Sequence, residues 1–209
     1  MSLLLRLIVL IAALIAIPSH LFAGPITIDF ESLSEFDAVT TQFAGLTFAN
    51  ATALTAGSGL NEIEFPPHSG ANVVFDDSGP MLISFAAPIA SFGGFFTYLA
   101  PLTLTAFDSS HNLLGSVSSG FLSNLSVSGN VGSSPNEFLQ LAFASGIGFL
   151  NISGDLGGGS FVMDDLTFDG TSTPAPVPEP STFSLMALGA AVLVRKVRAA
   201  RKHTLTARG

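Results

Sequence analysis

The chain has 209 residues with fifteen acidic and seven basic side chains, nineteen Phe, one Tyr, and neither Cys nor Trp. Without cysteine it has no disulfide, no thiol nucleophile and no thiolate metal site. Every acid but Glu179 lies between Gly24 and Gly170, where there is no Lys or Arg, so nucleic acid and other polyanions are poor partners for that region.

The first 23 residues carry Arg6, an apolar run from Leu7 to Ile17, Pro18 and a small residue at Ala23. This is the pattern of a secretory signal peptide. A domain is expected over 24–170, a Thr/Pro/Ala spacer over 171–176, a C-terminal targeting segment over 177–202 and a short tail over 203–209. The domain opens on Ile26-Thr27-Ile28-Asp29-Phe30-Glu31, which alternates with period two and places Ile26, Ile28 and Phe30 on a core face. Short strands are expected at 39–42 and 45–49, and a loop or edge at 51–59. Asn61 to Phe65 alternates Ile63 and Phe65 against Glu62 and Glu64, and reads as a strand ended by Pro66-Pro67.

Strands follow at 72–75 and 81–85, then a turn at Ala87-Pro88. The next strand, 91–98, has paired Gly93-Gly94, the mark of a bulge or a close backbone approach. Residues 102–107 and 113–118 form a hairpin around Asp108-Ser109-Ser110-His111-Asn112. The remaining strands are expected at 121–128, 137–143, 147–152 and 160–168. No stretch of the domain has a 3.6-residue period. Ten or so short strands with Gly, Pro and Asp turns predict an all-β fold, an antiparallel jelly-roll-like sandwich with a Phe-rich core.

Several groups of residues could carry chemistry. Many carbohydrate-binding jelly rolls hold a structural Ca²⁺ between a first-strand acid and acids near the last strand. The matching residues here are Asp29 or Glu31 with Asp164 and Asp165, a hard-oxygen donor set with no competing Lys or Arg. Asp76-Asp77-Ser78-Gly79 reads as turn chemistry. Glu62 and Glu64 lie on one face of their expected strand, as a pair of hydrolytic carboxylates would. His68 and His111 fall in loops with no sign that they converge. No G-x-S-x-G elbow is present. These residues give no catalytic set.

The C-terminal segment begins with Val177-Pro178-Glu179-Pro180, which cannot lie inside a helix. An uncharged, mostly apolar run from Ser181 to Val194 follows, then a basic cluster of Arg195, Lys196, Arg198, Arg201 and Lys202. Fourteen residues at a 1.5 Å rise span about 21 Å, against roughly 30 Å of bilayer hydrocarbon, so this is a marginal, transient anchor. Its basic end would stay on the cytoplasmic side.

This order of parts resembles the PEP-CTERM sorting signal of exported proteins of Gram-negative bacteria that make exopolysaccharide. The resemblance implies that Pro178, Glu179 and Pro180 are read by an exosortase-type membrane enzyme that removes the tail. The middle of the chain resembles a set of such exported proteins in phrases like ITIDFE, SFGGFFTYLAPLTLTAFD and MDDLTFDG. The expected function is therefore a cell-surface or extracellular-matrix β-sandwich protein, non-catalytic and glycan-binding, with extracellular polysaccharide as a partner. The alternatives are a polysaccharide-active hydrolase or lyase, and a bitopic membrane protein that keeps its tail.

Overall fold

The computed structural model describes residues 24–169. The expected signal peptide, spacer and C-terminal helix lie outside the described residues. Among the described residues there is no helix. Nine strands pair antiparallel: β1 (Pro25–Ile28), β2 (Leu46–Ala49), β3 (Ala51–Thr55), β4 (Asn72–Asp76), β5 (Met81–Tyr98), β6 (Thr103–Phe107), β7 (Leu113–Ser118), β8 (Glu137–Ser153) and β9 (Phe161–Asp169). Their order in the sheet is β3-β4-β9-β5-β8-β6-β7, with β1 also paired to β9 and β2 to β5.

Two strands determine the architecture, β5 with 18 residues and β8 with 17. Met81–Ser84 of β5 pairs with Phe149–Ile152 of β8, and the same part of β5 pairs with β2. Ser91–Phe96 pairs with Glu137–Ala142, and the same part of β5 pairs with β9. Between the two parts the register slips, first between Ser84 and Ile89 and again between Ile89 and Ser91. Each long strand thus serves two layers. The first layer is β2-β5-β8-β6-β7; the second is β3-β4-β9-β5-β8 with β1.

One buried cluster takes Ile83, Leu104 and Leu150 from the first layer and Phe92, Leu139 and Met163 from the second. The sheet is therefore folded over on its own apolar face. Phenylalanine fills the interior as the composition predicts. Phe30, Phe43 and Phe48 meet edge to face, and Phe85 touches both Phe92 and Phe168 beside the corner. Fully burying such a side chain contributes about 1.5–3 kcal/mol.

The corner explains why each long strand reads as two short ones. Pro88 cannot donate to the ladder, and Gly146 opposite it has φ +87. A Cβ on Gly146 would lie 2.8 Å from Pro88 Cβ. Only glycine fits both the conformation and the space. The sequence looks like two turns, and the chain bends there without leaving the sheet.

Other expectations change for local reasons. Ala51–Thr55 is an edge strand, whereas 39–42 forms no strand, and only the preceding Ala38 makes a bridge, to Thr52. No strand forms at 121–128. Ile26 is 45% exposed, since β1 buries only its Ile28 end.

Asn61 to Phe65 is a turn, with Glu64 N and Phe65 N both donating to Asn61 O. Leu60 and Phe65 pack with Val73, Phe75 and Val162 in a second, smaller cluster. Val73, Phe75 and Val162 alternate with the inward-facing Val74, Phe161 and Met163, so this cluster lies on the outer side of β4 and β9. The segment 56–71 therefore covers the outer face of the second layer.

Candidate functional site

Three of the four acids expected to hold Ca²⁺ meet around one short stretch of that covering segment. Asp164 Oδ2 accepts from His68 N at 2.8 Å and from Ser69 N at 2.9 Å, and its Oδ1 accepts from Asp165 N at 2.7 Å. Asp165 stands at a β-bulge with φ +45, where the pairing passes from Gly93–Thr167 to Phe95–Asp164. Its Oδ2 lies 2.6 Å from His68 Nδ1, and its Oδ1 accepts from Ser69 Oγ at 3.0 Å. Glu31 Oε1 accepts from Ala71 N at 2.9 Å and Asn72 N at 2.7 Å. Asp29 takes no part in this and accepts from Glu31 N at 3.2 Å.

These carboxylates are turned to N–H and O–H donors rather than to a shared centre. Among the described residues no three His, Cys, Asp or Glu side chains are grouped as a metal site. The donor set does not fit Ca²⁺ as it stands, because a cation would have to displace the amides already bound. The physical reason is the composition. With no Lys or Arg in the domain, backbone N–H groups are the available partners, and charge-assisted bonds to them are strong. Burial pushes the Asp164 carboxyl up to about 6, against the lowering effect of its amide donors.

The same use recurs elsewhere. Buried Asp76, in the turn singled out by sequence, accepts from Ser160 N and Ser160 Oγ at 2.8 Å and from Phe161 N at 2.9 Å, tying the 154–160 turn to β4. Burial raises its pKa. Glu64 accepts from Val127 N and Ser128 N, which lowers its pKa, so it is not free to work as a pair with Glu62. Tyr98 is fully buried in the core; its hydroxyl donates to Glu137, and burial pushes its pKa up to about 12.

His68 and His111 both lie in loops and stack on rings of different strands, Phe95 of β5 and Phe149 of β8. His68 stacks on Phe95 of the second layer with centroids 3.4 Å apart, and Phe95 touches Phe138 at 5.0 Å. Ser69 Oγ is bonded to Asp165 rather than to His68, so the three residues do not form a nucleophile relay.

The other histidine belongs to an open cavity that the sequence reading missed. On the first layer, Leu82, Ser84, Phe107, His111, Phe149 and Asn151 line a cavity of about 320 Å³. Register builds it. Phe149 lies between Ser84 and Phe107, and Asn151 lies between Leu82 and Thr105. Leu104, Ala106, Leu150 and Ile152 face the core from the alternate positions, so these side chains face outward.

His111 stacks on Phe149 with centroids 4.1 Å apart and rings inclined by 27°. Its position is set by Asp108. That carboxylate accepts from Ser110 N, Asn112 N and Asn112 Nδ2, which fixes the hairpin loop and lowers the Asp108 pKa. Asn151 Oδ1 is enclosed and has no hydrogen-bond partner. The signal in the sequence is an aromatic on the polar phase of a strand. Phe107 shares its phase with Thr103 and Thr105.

Among solved structures the domain is similar to the K2 cleaved adhesin domain of Lys-gingipain, with 12% identity, a TM-score of 0.45, and coverage of 69% of this chain and 99% of that one. It is similar to a DUF4465 family protein from Bacteroides caccae with 11% identity, a TM-score of 0.46 and coverage of 70% and 99%. For CBM35 from Paenibacillus barcinonensis the values are 16%, 0.37, 71% and 100%. No curated protein matches the chain. Residues 176–202 match the family model of the PEP-CTERM protein-sorting motif, so the chain carries at its C-terminal end the signal of an exported protein.

Proposed function

We propose that this chain is an exported cell-surface or matrix protein whose tail is processed by an exosortase-type enzyme, and whose jelly-roll-like domain is a non-catalytic module for neutral extracellular polysaccharide. The observation that carries the reading is the sorting motif over 176–202, with Pro178, Glu179 and Pro180 ahead of an apolar run and a basic cluster. The apolar run is a short anchor that keeps the precursor at the membrane until the enzyme removes the tail.

The non-catalytic part of the reading is supported by how the acids are used. Glu31, Glu64, Asp76, Asp108 and Asp164 accept backbone N–H groups, and such bonded carboxylates are poorly placed to exchange protons with a substrate. Affinity for a polysaccharide is supported by the uncharged, aromatic-walled cavity on the open layer.

The test is to replace Pro178, Glu179 and Pro180 together with alanine and to measure the mass and location of the protein in an exosortase-containing host. The variant is expected to stay in the membrane at precursor mass. Release at the mature mass of the wild type would overturn the reading.

A further inference from the structure

The geometry points to the cavity over β5, β6 and β8 as a subsite for a neutral sugar ring. This rests on the polysaccharide-binding reading above and assigns it a place, a ligand class and a positioning residue.

Four observations converge on that ligand. The first is the wall. The stacked His111–Phe149 pair and Phe107 present ring surface beside Leu82. The C–H face of a pyranose packs on such apolar ring surface. The second is the unpartnered Asn151 Oδ1. A buried acceptor without a donor is costly, and the terminal amide torsion is soft, so a small rotation turns the amide toward a ligand hydroxyl.

The third is the surrounding face. Thr47, Ser84, Thr105 and Ser116 share the outward phase with Phe149 and Asn151 across neighbouring strands. A polyhydroxylated chain would meet hydroxyl partners on both sides of the cavity. The fourth is charge. No Asp, Glu, Lys or Arg lines the cavity, and the domain around it is acidic with no Lys or Arg, so uronate or sulfated chains would be repelled. At about 320 Å³ the cavity lies at the small end of ligand sites, which suits one or two sugar rings of a longer chain.

Asp108 is the positioning residue. It does not line the cavity, but its carboxylate's bonds to Ser110 and Asn112 and its carbonyl's bond from His111 N at 3.0 Å hold the loop that lays His111 on Phe149. The layer's open face contrasts with the second layer, where Glu31, Asp164 and Asp165 fasten a covering segment in place.

The experiment is calorimetric titration of the full-length protein with neutral hexasaccharides of glucose, xylose and mannose, with oligogalacturonate as the charged comparison. Parallel titrations use His111→Ala, Asn151→Ala and Asp108→Ala, and thermal unfolding of each variant reports folding. The wild type is expected to bind at least one neutral hexasaccharide and to bind oligogalacturonate at least tenfold more weakly. His111→Ala and Asn151→Ala are expected to weaken neutral binding about tenfold or more. Asp108→Ala should weaken binding less than His111→Ala, and should leave affinity unchanged when made on top of it, which a merely structural role would not do.

If the wild type binds and both cavity variants bind equally well, the subsite is wrong while the polysaccharide-binding reading stands. If the wild type binds no neutral hexasaccharide, both fall. If an unfolded variant clouds the result, Ser84→Tyr fills the cavity from a solvent-facing position, and unchanged affinity there likewise overturns the subsite.

Discussion

Asp76 shows best how single residues hold this domain together. It is buried, carries no counter-ion, and takes three donors from Ser160 and Phe161. Asp76→Ala would strand two backbone N–H groups and a hydroxyl in the interior. Urea unfolding should report a loss of about 2–4 kcal/mol, whereas Glu62→Ala on the surface should fall within about 0.5 kcal/mol of the wild type.

Asp164 makes a prediction in pH. Its carboxyl is raised from 3.8 to about 6 by burial, so the folded state holds that proton more tightly than the unfolded chain. Its contribution to stability is full below about pH 4 and falls away as pH rises toward about 6. The stability of the wild type minus that of Asp164→Asn should therefore decrease across that window, by at most about 3 kcal/mol, and then level off. A difference that grows with pH would show that the amide donors outweigh burial. Asp108 and Glu64, with lowered pKa values, act in the opposite sense and lose their contribution as the solution becomes more acid.

The elements most fully written in the sequence are those with strict alternation and ordinary turns. The β6–β7 hairpin around Asp108 to Asn112 and the final strand follow the expected pattern within a residue. What local pattern could not show was continuity through a corner. Pro88 and Gly146 carry turn chemistry, yet they face each other where β5 and β8 change layer. Nor could it tell a covering segment from a strand. Ile63 and Phe65 alternate with two glutamates, but Ile63 is 69% exposed and Phe65 packs outward on Phe75 and Val162. Gly146→Ala tests the corner directly. It should cost about 1–3 kcal/mol from the left-handed backbone, before any displacement of Pro88. A stability equal to wild type would show that the corner relaxes freely.

At the scale of the whole molecule, charge is the organising fact, and it was legible from the first count. A domain with acids and no Lys or Arg has no Lys or Arg ion pairs for salt to weaken. It has like-charge repulsion for salt to screen. Raising the ionic strength from about 0.01 M to about 0.5 M should therefore raise the melting temperature. A fall would mean that attractive ion pairs dominate.

The metal expectation was drawn from the placement of acids in carbohydrate-binding jelly rolls together with that count, and it did not foresee the partners. The positions of Glu31, Asp164 and Asp165 were visible, but not that the 68–72 backbone would arrive to fill their oxygens. The cavity escaped notice because each of its residues belongs to an ordinary strand or turn, and only register brings Ser84, Phe107, Phe149 and Asn151 together.

The deciding measurement is calorimetric unfolding of the full-length protein in millimolar Ca²⁺ and again in excess chelator. If the acidic side chains are fasteners for the protein's own backbone, the two melting temperatures should agree within about 1 °C. A cation held at a hundred times its dissociation constant would stabilise by about 2.7 kcal/mol, and a rise of roughly 5–10 °C in Ca²⁺ would contradict that assignment.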